Sequence, residues 1–426
     1  MLKHLNIALS QQQIGKWLLL LLVFPVIWLD TLYGFFSYLG LGALRISLLY
    51  RTLVLLLGLI IVYTRSGLLS WLVQAMILFW STLLILNTYW LGEVQFITEF
   101  TQLTRWVFPF SVLVLTLAAL EKYGDHTTLI MQGVAYYGWV FGGFMLFSFV
   151  TGLGIPSYEE GVFGIKSFYV GGNDIGLAAL ISLTIMFVLL RRQFSWWQLG
   201  KIVLCVAGLL LLGTKAGWAG AVLLVVGFTM LFKRMRWFAL PLVLIAGAWS
   251  ITWIQANSDT LSYQIDQLQT VAKGANPRER LMQAGDGQLE HYPNKAQWTG
   301  GGYSFYTGSG RDYYVTHNNT TGTETFKAIE QEWYDLRGGY GVPFAVFVFL
   351  CHFLLLALSL LLLWRRPNIE HLGIAIASCL YIGHGIFAGH AFVSGQPSGL
   401  IAVLYAIVIY RLESGALSAE RRSQRD

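Results

Sequence analysis

Charge is scarce in this chain. Only 12% of its 426 residues are Asp, Glu, Lys or Arg, where a soluble domain carries about 25%. With 56% hydrophobic residues and a mean hydropathy of +0.59, that shortage excludes an ordinary soluble globule and points to an integral membrane protein. Cysteine is nearly missing too. Cys205, Cys351 and Cys379 fall in apolar runs without CxxC spacing, so a disulfide framework or thiolate metal site is not expected and all three read as small buried hydrophobes. There is no tandem repeat, no low-complexity tract and no phosphate-loop pattern.

Long apolar runs are abundant. About twelve are long enough to cross a bilayer as helices. They centre near Ile27, Leu55, Phe79, Leu113, Val140, Ile181, Val206, Val222, Ile245, Phe353, Ile382 and Leu404. The first follows Lys3 and Lys16 and has no small-residue cleavage site after it, so it reads as a retained helix. Sixteen Trp and 21 Tyr suit interfacial aromatic belts.

Lys and Arg set the expected orientation. With the N-terminus inside, the inner segments carry Lys3, Lys16, Arg65, Lys122, Arg191, Arg192, Lys201, Lys233, Arg234, Arg236, Arg365 and Arg366, plus the tail arginines. The outer loops carry only Arg45, Arg51, Arg105, Lys166 and Lys215. Both termini are therefore expected in the cytoplasm.

One segment breaks the short-loop pattern. Residues 256–340 are polar over a length far beyond ordinary connectors, which marks function. The segment opens amphipathically, with Leu261, Ile265, Leu268 and Val271 at helical spacing. The expected organisation is nine transmembrane helices in 1–255, an extracytoplasmic loop domain in 256–340, three further helices in 341–411 and a cytoplasmic tail in 412–426. The fold class is thus an all-α integral membrane protein with one large extracytoplasmic loop.

Several polar residues are candidates for chemistry. Arg278 and Arg280, in "NPRERL" with Lys273 and Lys295 nearby, offer guanidinium forks that suit phosphate oxygens, or else a solvated helix face. Lys215, in "LLGTKAGWAG", stands between two apolar runs; it either snorkels or faces a polar cavity. Asn173 and Asp174, in "GGNDIGLA", fit either a helix cap or a contact with an acceptor. His317, followed by Asn318, has the chemistry of a general acid or base. Glu330, Glu332 and Asp335 form a dense acidic group in which Glu332 and Asp335 share a helical face. They either activate a hydroxyl or form the solvated first turn of the next helix, where acids favour the dipole. Gly338, Gly339 and Gly341 signal a turn. His384 and His390 are expected on a late helix as packing or interfacial residues.

Taken in order, "GGNDIGLA", "LLGTKAGWAG", "NPRERL", "GGGYSFY", "THNN" and the Glu-x-Glu-x-x-Asp pattern before "YG" resemble the O-antigen ligase and polysaccharide polymerase superfamily. The resemblance covers residues 165–410. It implies a GT-C-like membrane glycosyltransferase in a bacterial inner membrane, working without metal or cofactor. The implied donor is an undecaprenyl-diphosphate-linked oligosaccharide on the outer face. Membrane lipids, a flippase and a chain-length regulator are the implied partners, and nucleic acid is not one. On this resemblance Arg278, Arg280 and Lys215 hold the diphosphate, and His317, Glu330, Glu332 or Asp335 activates the acceptor. Two departures stand out. Gly-Thr-Lys replaces the Ser-Arg common in ligases, and Leu336 and Arg337 occupy places where ligases carry an acid. The second tilts the expectation towards a polymerase, with a ligase as the alternative. A transporter, the rival class, tends to show two pseudo-symmetric halves, whereas this chain is asymmetric about its one large loop.

Overall fold

The computed structural model describes residues 11–42, 46–91, 95–157, 163–231, 269, 273, 296–303, 306 and 331–423. The described chain is almost wholly helical. In order it forms α1 (Gln11–Val23), α2 (Pro25–Tyr38), α3 (Ile46–Thr64), α4 (Leu68–Leu91), α5 (Phe96–Tyr123) and α6 (Thr127–Thr151). A small antiparallel pair follows, β1 (Ile155–Pro156) and β2 (Ile165–Ser167). Then come α7 (Gly172–Arg192), α8 (Trp196–Leu212), α9 (Lys215–Leu231), the single turn α10 (Ala296–Thr299), α11 (Glu332–Arg365), α12 (Ile369–Phe387) and α13 (Gly395–Ser423).

Among the described residues nine helices are long and apolar enough to cross a membrane, counting α1 and α2 as one span. Helices α8 and α9 are apolar but shorter. Eleven of the expected runs coincide with these helices, while the run near Ile245 lies outside the described residues.

Two helices form the centre. The apolar windows of α5 and α7 are each 83% buried, and α13 packs against both. Helices α1, α3 and α4 surround α5, and α6, α8, α9 and α12 surround α7. The outer helices instead turn leucines outward; Leu49 and Leu223 are 72% and 70% exposed. Such an apolar exterior suits hydrocarbon rather than water. Small residues let backbones approach where helices cross. A Cβ on Gly208 would stand 2.8 Å from the Cα of Gly142, so α6 and α8 meet almost backbone to backbone.

The antiparallel order gathers basic residues at one end. There Arg65 pairs with Glu121 at 2.5 Å, Arg192 with Glu370 at 2.9 Å and Arg411 with Asp125 at 2.9 Å. The last of these closes the α5–α6 turn against α13. Cys205 and Cys351 are buried as expected, but Cys379 is exposed on α12. A thiol is apolar enough to face hydrocarbon as readily as a protein core.

Candidate active site at the end opposite the basic residues

A cavity of about 420 Å³ opens at the other end of the bundle. Its wall combines Asp30 and Tyr33 of α2, Ser47 and Arg51 of α3, Thr101, Thr104 and Arg105 of α5, Gly171 and Asp174 at the start of α7, and Ser394 to Gln396 at the start of α13. Asp30, 5% exposed, accepts hydrogen bonds from Ser47 Oγ at 2.5 Å and from Arg51 Nη2 at 2.7 Å. The carboxylate fixes one edge of the guanidinium, and Gly395 makes room for it: a Cβ there would stand 2.6 Å from Arg51 Nε. Helices α7 and α13 both begin at the cavity, so the positive ends of two helix dipoles point into it. Two arginines and two helix N-termini around one polar space suit an anion, with Asp30, paired to Arg51, and Asp174 as the opposing carboxylates in the same wall.

The acidic segment lies against this cavity. Gln331 caps α11 by position, and Glu332 and Asp335 share its first turn. Both are buried, at 1% and 8% exposure, so of the two readings the solvated helix start does not hold. The reason is tertiary. Glu332 accepts a hydrogen bond from the Phe392 amide at 2.6 Å, and it interacts electrostatically with His390, Asp335 and Asp174. His390 is not on a helix; it sits in the connection from α12 to α13 with φ +61°. That backbone region is uncommon for a non-glycine residue. Tyr303 stands among Asp335, Arg105, Glu332 and Glu99, and its hydroxyl is pushed up to about 12 by burial first and by Asp335 next, with Arg105 opposing.

Two glycine runs lock this arrangement together. Gly301 N donates to Gly338 O at 3.1 Å and Gly302 N to Gly339 O at 2.8 Å, so the "GGGYSFY" turn is docked on the first part of α11. Gly300 and Gly341 both have positive φ, +71° and +80°, and a Cβ at Gly341 would collide with the Trp298 carbonyl. The sequence suggested a turn at Gly338 and Gly339, yet these two are helical, and only Gly341 departs from helical geometry. Tyr340 then donates to Glu99 Oε2 at 3.0 Å, holding α11 to α5.

Other expected site residues have different fates. Asn173 and Asp174 lie inside the first turn of α7, whose cap position is Gly171; Asp174 faces the cavity instead of occupying the cap. Lys215 is the first residue of α9 and is not part of the cavity wall. Its neighbour Thr214 does pack beside Gly172 and Gly176 of α7. Arg278, Arg280, His317, Asn318 and Glu330 lie outside the described residues. Among the described residues no group of three His, Cys, Asp or Glu could hold a metal ion.

Asp30, Arg51, Glu99 and Arg105 were not singled out by the sequence. The available signal was their position: each lies within a span now seen as helix, and ionisable residues there are functional by default. Compared with known protein families and with curated proteins, the chain matches none.

Proposed function

We propose that the protein is a membrane glycosyltransferase that extends a polysaccharide, using a glycan carried on undecaprenyl diphosphate. The observation that carries this reading is the anion-suited cavity of Arg51 and Arg105 directly beside the buried carboxylates of α11. In this reading the lipid-linked diphosphate enters from the outer leaflet and lies between the two arginines and the starts of α7 and α13. An acceptor sugar hydroxyl attacks the donor's anomeric carbon. The anomeric C–O bond to the diphosphate breaks, and the departing charge is met by fixed cations and dipoles, each worth about 10²–10³ in rate. The hydroxyl proton passes to a carboxylate, a step worth roughly 10²–10⁴. In this reading Asp335 is the base and Glu332, whose Oε1 accepts from Phe392, positions the connection beside the cavity. The sequence resemblance supports the same class, and the loop residues Arg278, Arg280 and His317 are its further candidate contributors. The orientation this needs, with both termini in the cytoplasm of a bacterial cell and the cavity facing outward, rests on the Lys and Arg asymmetry.

The test is direct. Purified protein in vesicles is incubated with undecaprenyl-diphosphate-linked oligosaccharide and the products are separated by length. A ladder supports polymerisation. A single transfer to an added lipid A-core acceptor would make it a ligase. Movement of the donor across the bilayer without a new glycosidic bond would replace the proposal with transport.

A further inference from the structure

The basic end holds a second cavity, of about 200 Å³, between the start of α4 and the helices α5, α11 and α13. Its depth is apolar, lined by Leu72, Val114, Leu117, Leu358 and Ile409, and its mouth carries Arg65 and Glu413. Arg65 is paired with Glu121 at 2.5 Å, and Glu413 is near enough to both to interact with them electrostatically. From Phe110 at the deep end to Leu117, α5 rises about 10 Å.

A void of this size is foreign to a close-packed interior, and with apolar walls it is no place for water. In a bilayer the matching filler is hydrocarbon. The hydrocarbon a bilayer supplies at this depth is an extended acyl chain, and a helix from a second copy, roughly 10 Å across, is the competing occupant that the experiment below distinguishes. The mouth then selects the headgroup. One guanidinium with two carboxylates repels a purely anionic head and suits one that carries phosphate and ammonium together. We propose that this cleft binds one acyl chain of an aminophospholipid from the leaflet at the basic end, with its phosphate at Arg65 and its ammonium at Glu413. The site is separate from the proposed transfer reaction, and its test reads lipid mass rather than activity.

The experiment is native mass spectrometry of the full-length protein released from detergent. The wild type should retain one phospholipid, and added phosphatidylethanolamine should be held about fivefold or more over phosphatidylglycerol, which corresponds to about 1 kcal/mol. Leu358→Trp and Leu354→Trp, at partly exposed wall positions, should each lower retention by a similar factor while the protein still elutes as one species. Glu413→Gln should lessen the headgroup preference, while Arg65→Ala, which removes the contact to the phosphate that both lipids share, should lower retention of both. Four results would overturn the proposal: no retained phospholipid, equal retention of the anionic lipid, unchanged retention in both tryptophan variants, or a retained mass equal to a second copy of the chain.

Discussion

The Glu332 carboxylate and the Phe392 amide, 2.6 Å apart and both buried, tie the first turn of α11 to the connection between α12 and α13. That connection continues into Ser394, Gly395 and Gln396, which wall the cavity. In the proposed reaction Glu332 is the positioning residue and Asp335 the base. Glu332→Gln retains an oxygen that accepts from Phe392, so its folding should survive. Glu332→Leu leaves the buried amide unpaired and should cost about 1–3 kcal/mol. Asp335→Asn should lower elongation by about 10²–10⁴ with donor binding intact. Thermal unfolding in detergent and single-turnover product analysis separate the roles. If Glu332→Gln abolishes chemistry and Asp335→Asn does not, the two assignments are reversed.

The arginine pair makes a second prediction. Arg51 is oriented by one Nη2 hydrogen bond to Asp30 and lies over Gly395, and a guanidinium offers further donors in a planar fork for phosphate oxygens. Arg51→Lys keeps the charge and loses the fork, so turnover should fall by about 10²-fold while protein yield is maintained. Arg105→Ala should fall at least as far. Asp30→Asn should weaken the donor site through Arg51 alone, so combining it with Arg51→Lys should add little. A double mutant that loses the product of the two single effects would show that Asp30 and Arg51 act independently.

The helices were legible in the sequence because continuous hydropathy is a local property, and eleven apolar runs reappear as helices. Their ends were less legible. Arg51 and Arg105 were placed in outer loops, because a charged residue normally marks the end of a span; here the helices continue past them around a polar cavity. The acidic face of Glu332 and Asp335 was visible in the spacing, but its burial was not, since it depends on a partner at Phe392 far along the chain. Likewise the two glycine runs were each visible, yet nothing local announces that one docks on the other. His390 was expected on a late helix, yet it falls in the break between α12 and α13 that the separate runs near Ile382 and Leu404 implied.

The expected orientation can be checked on described residues. In a version lacking the native cysteines, Leu153→Cys lies just after α6, at the cavity end, and Arg366→Cys lies after α11, at the basic end. By the Lys and Arg asymmetry, an impermeant thiol reagent should label the first in intact cells and the second only after permeabilisation. Labelling of Arg366→Cys alone in intact cells would place the cavity in the cytoplasm and remove the outer-leaflet donor from the proposed function.

The glycine interlock gives the sharpest contrast between neighbours. Gly339 and Gly341 are two residues apart, but their surroundings differ. Gly339 is helical, and a Cβ there would meet its nearest atom, Tyr303 Cα, at 3.6 Å, an ordinary contact. Gly341 has φ +80°, and a Cβ there would run into the Trp298 carbonyl. Gly339→Ala should therefore be neutral or stabilise by about 0.4–1 kcal/mol, because it restricts the unfolded chain without straining the folded one. Gly341→Ala carries the backbone penalty of about 1–3 kcal/mol and must also push Trp298 away. That shift displaces α10 and the docked turn, and with them Tyr303, the neighbour of Asp335 and Arg105. Gly341→Ala should thus lower both the unfolding temperature and the transfer rate, while Gly339→Ala leaves the rate unchanged. Unfolding curves and initial rates measured on the same preparations decide it. Equal stability of the two variants would mean that the "GGGYSFY" turn does not dock on α11 in the membrane.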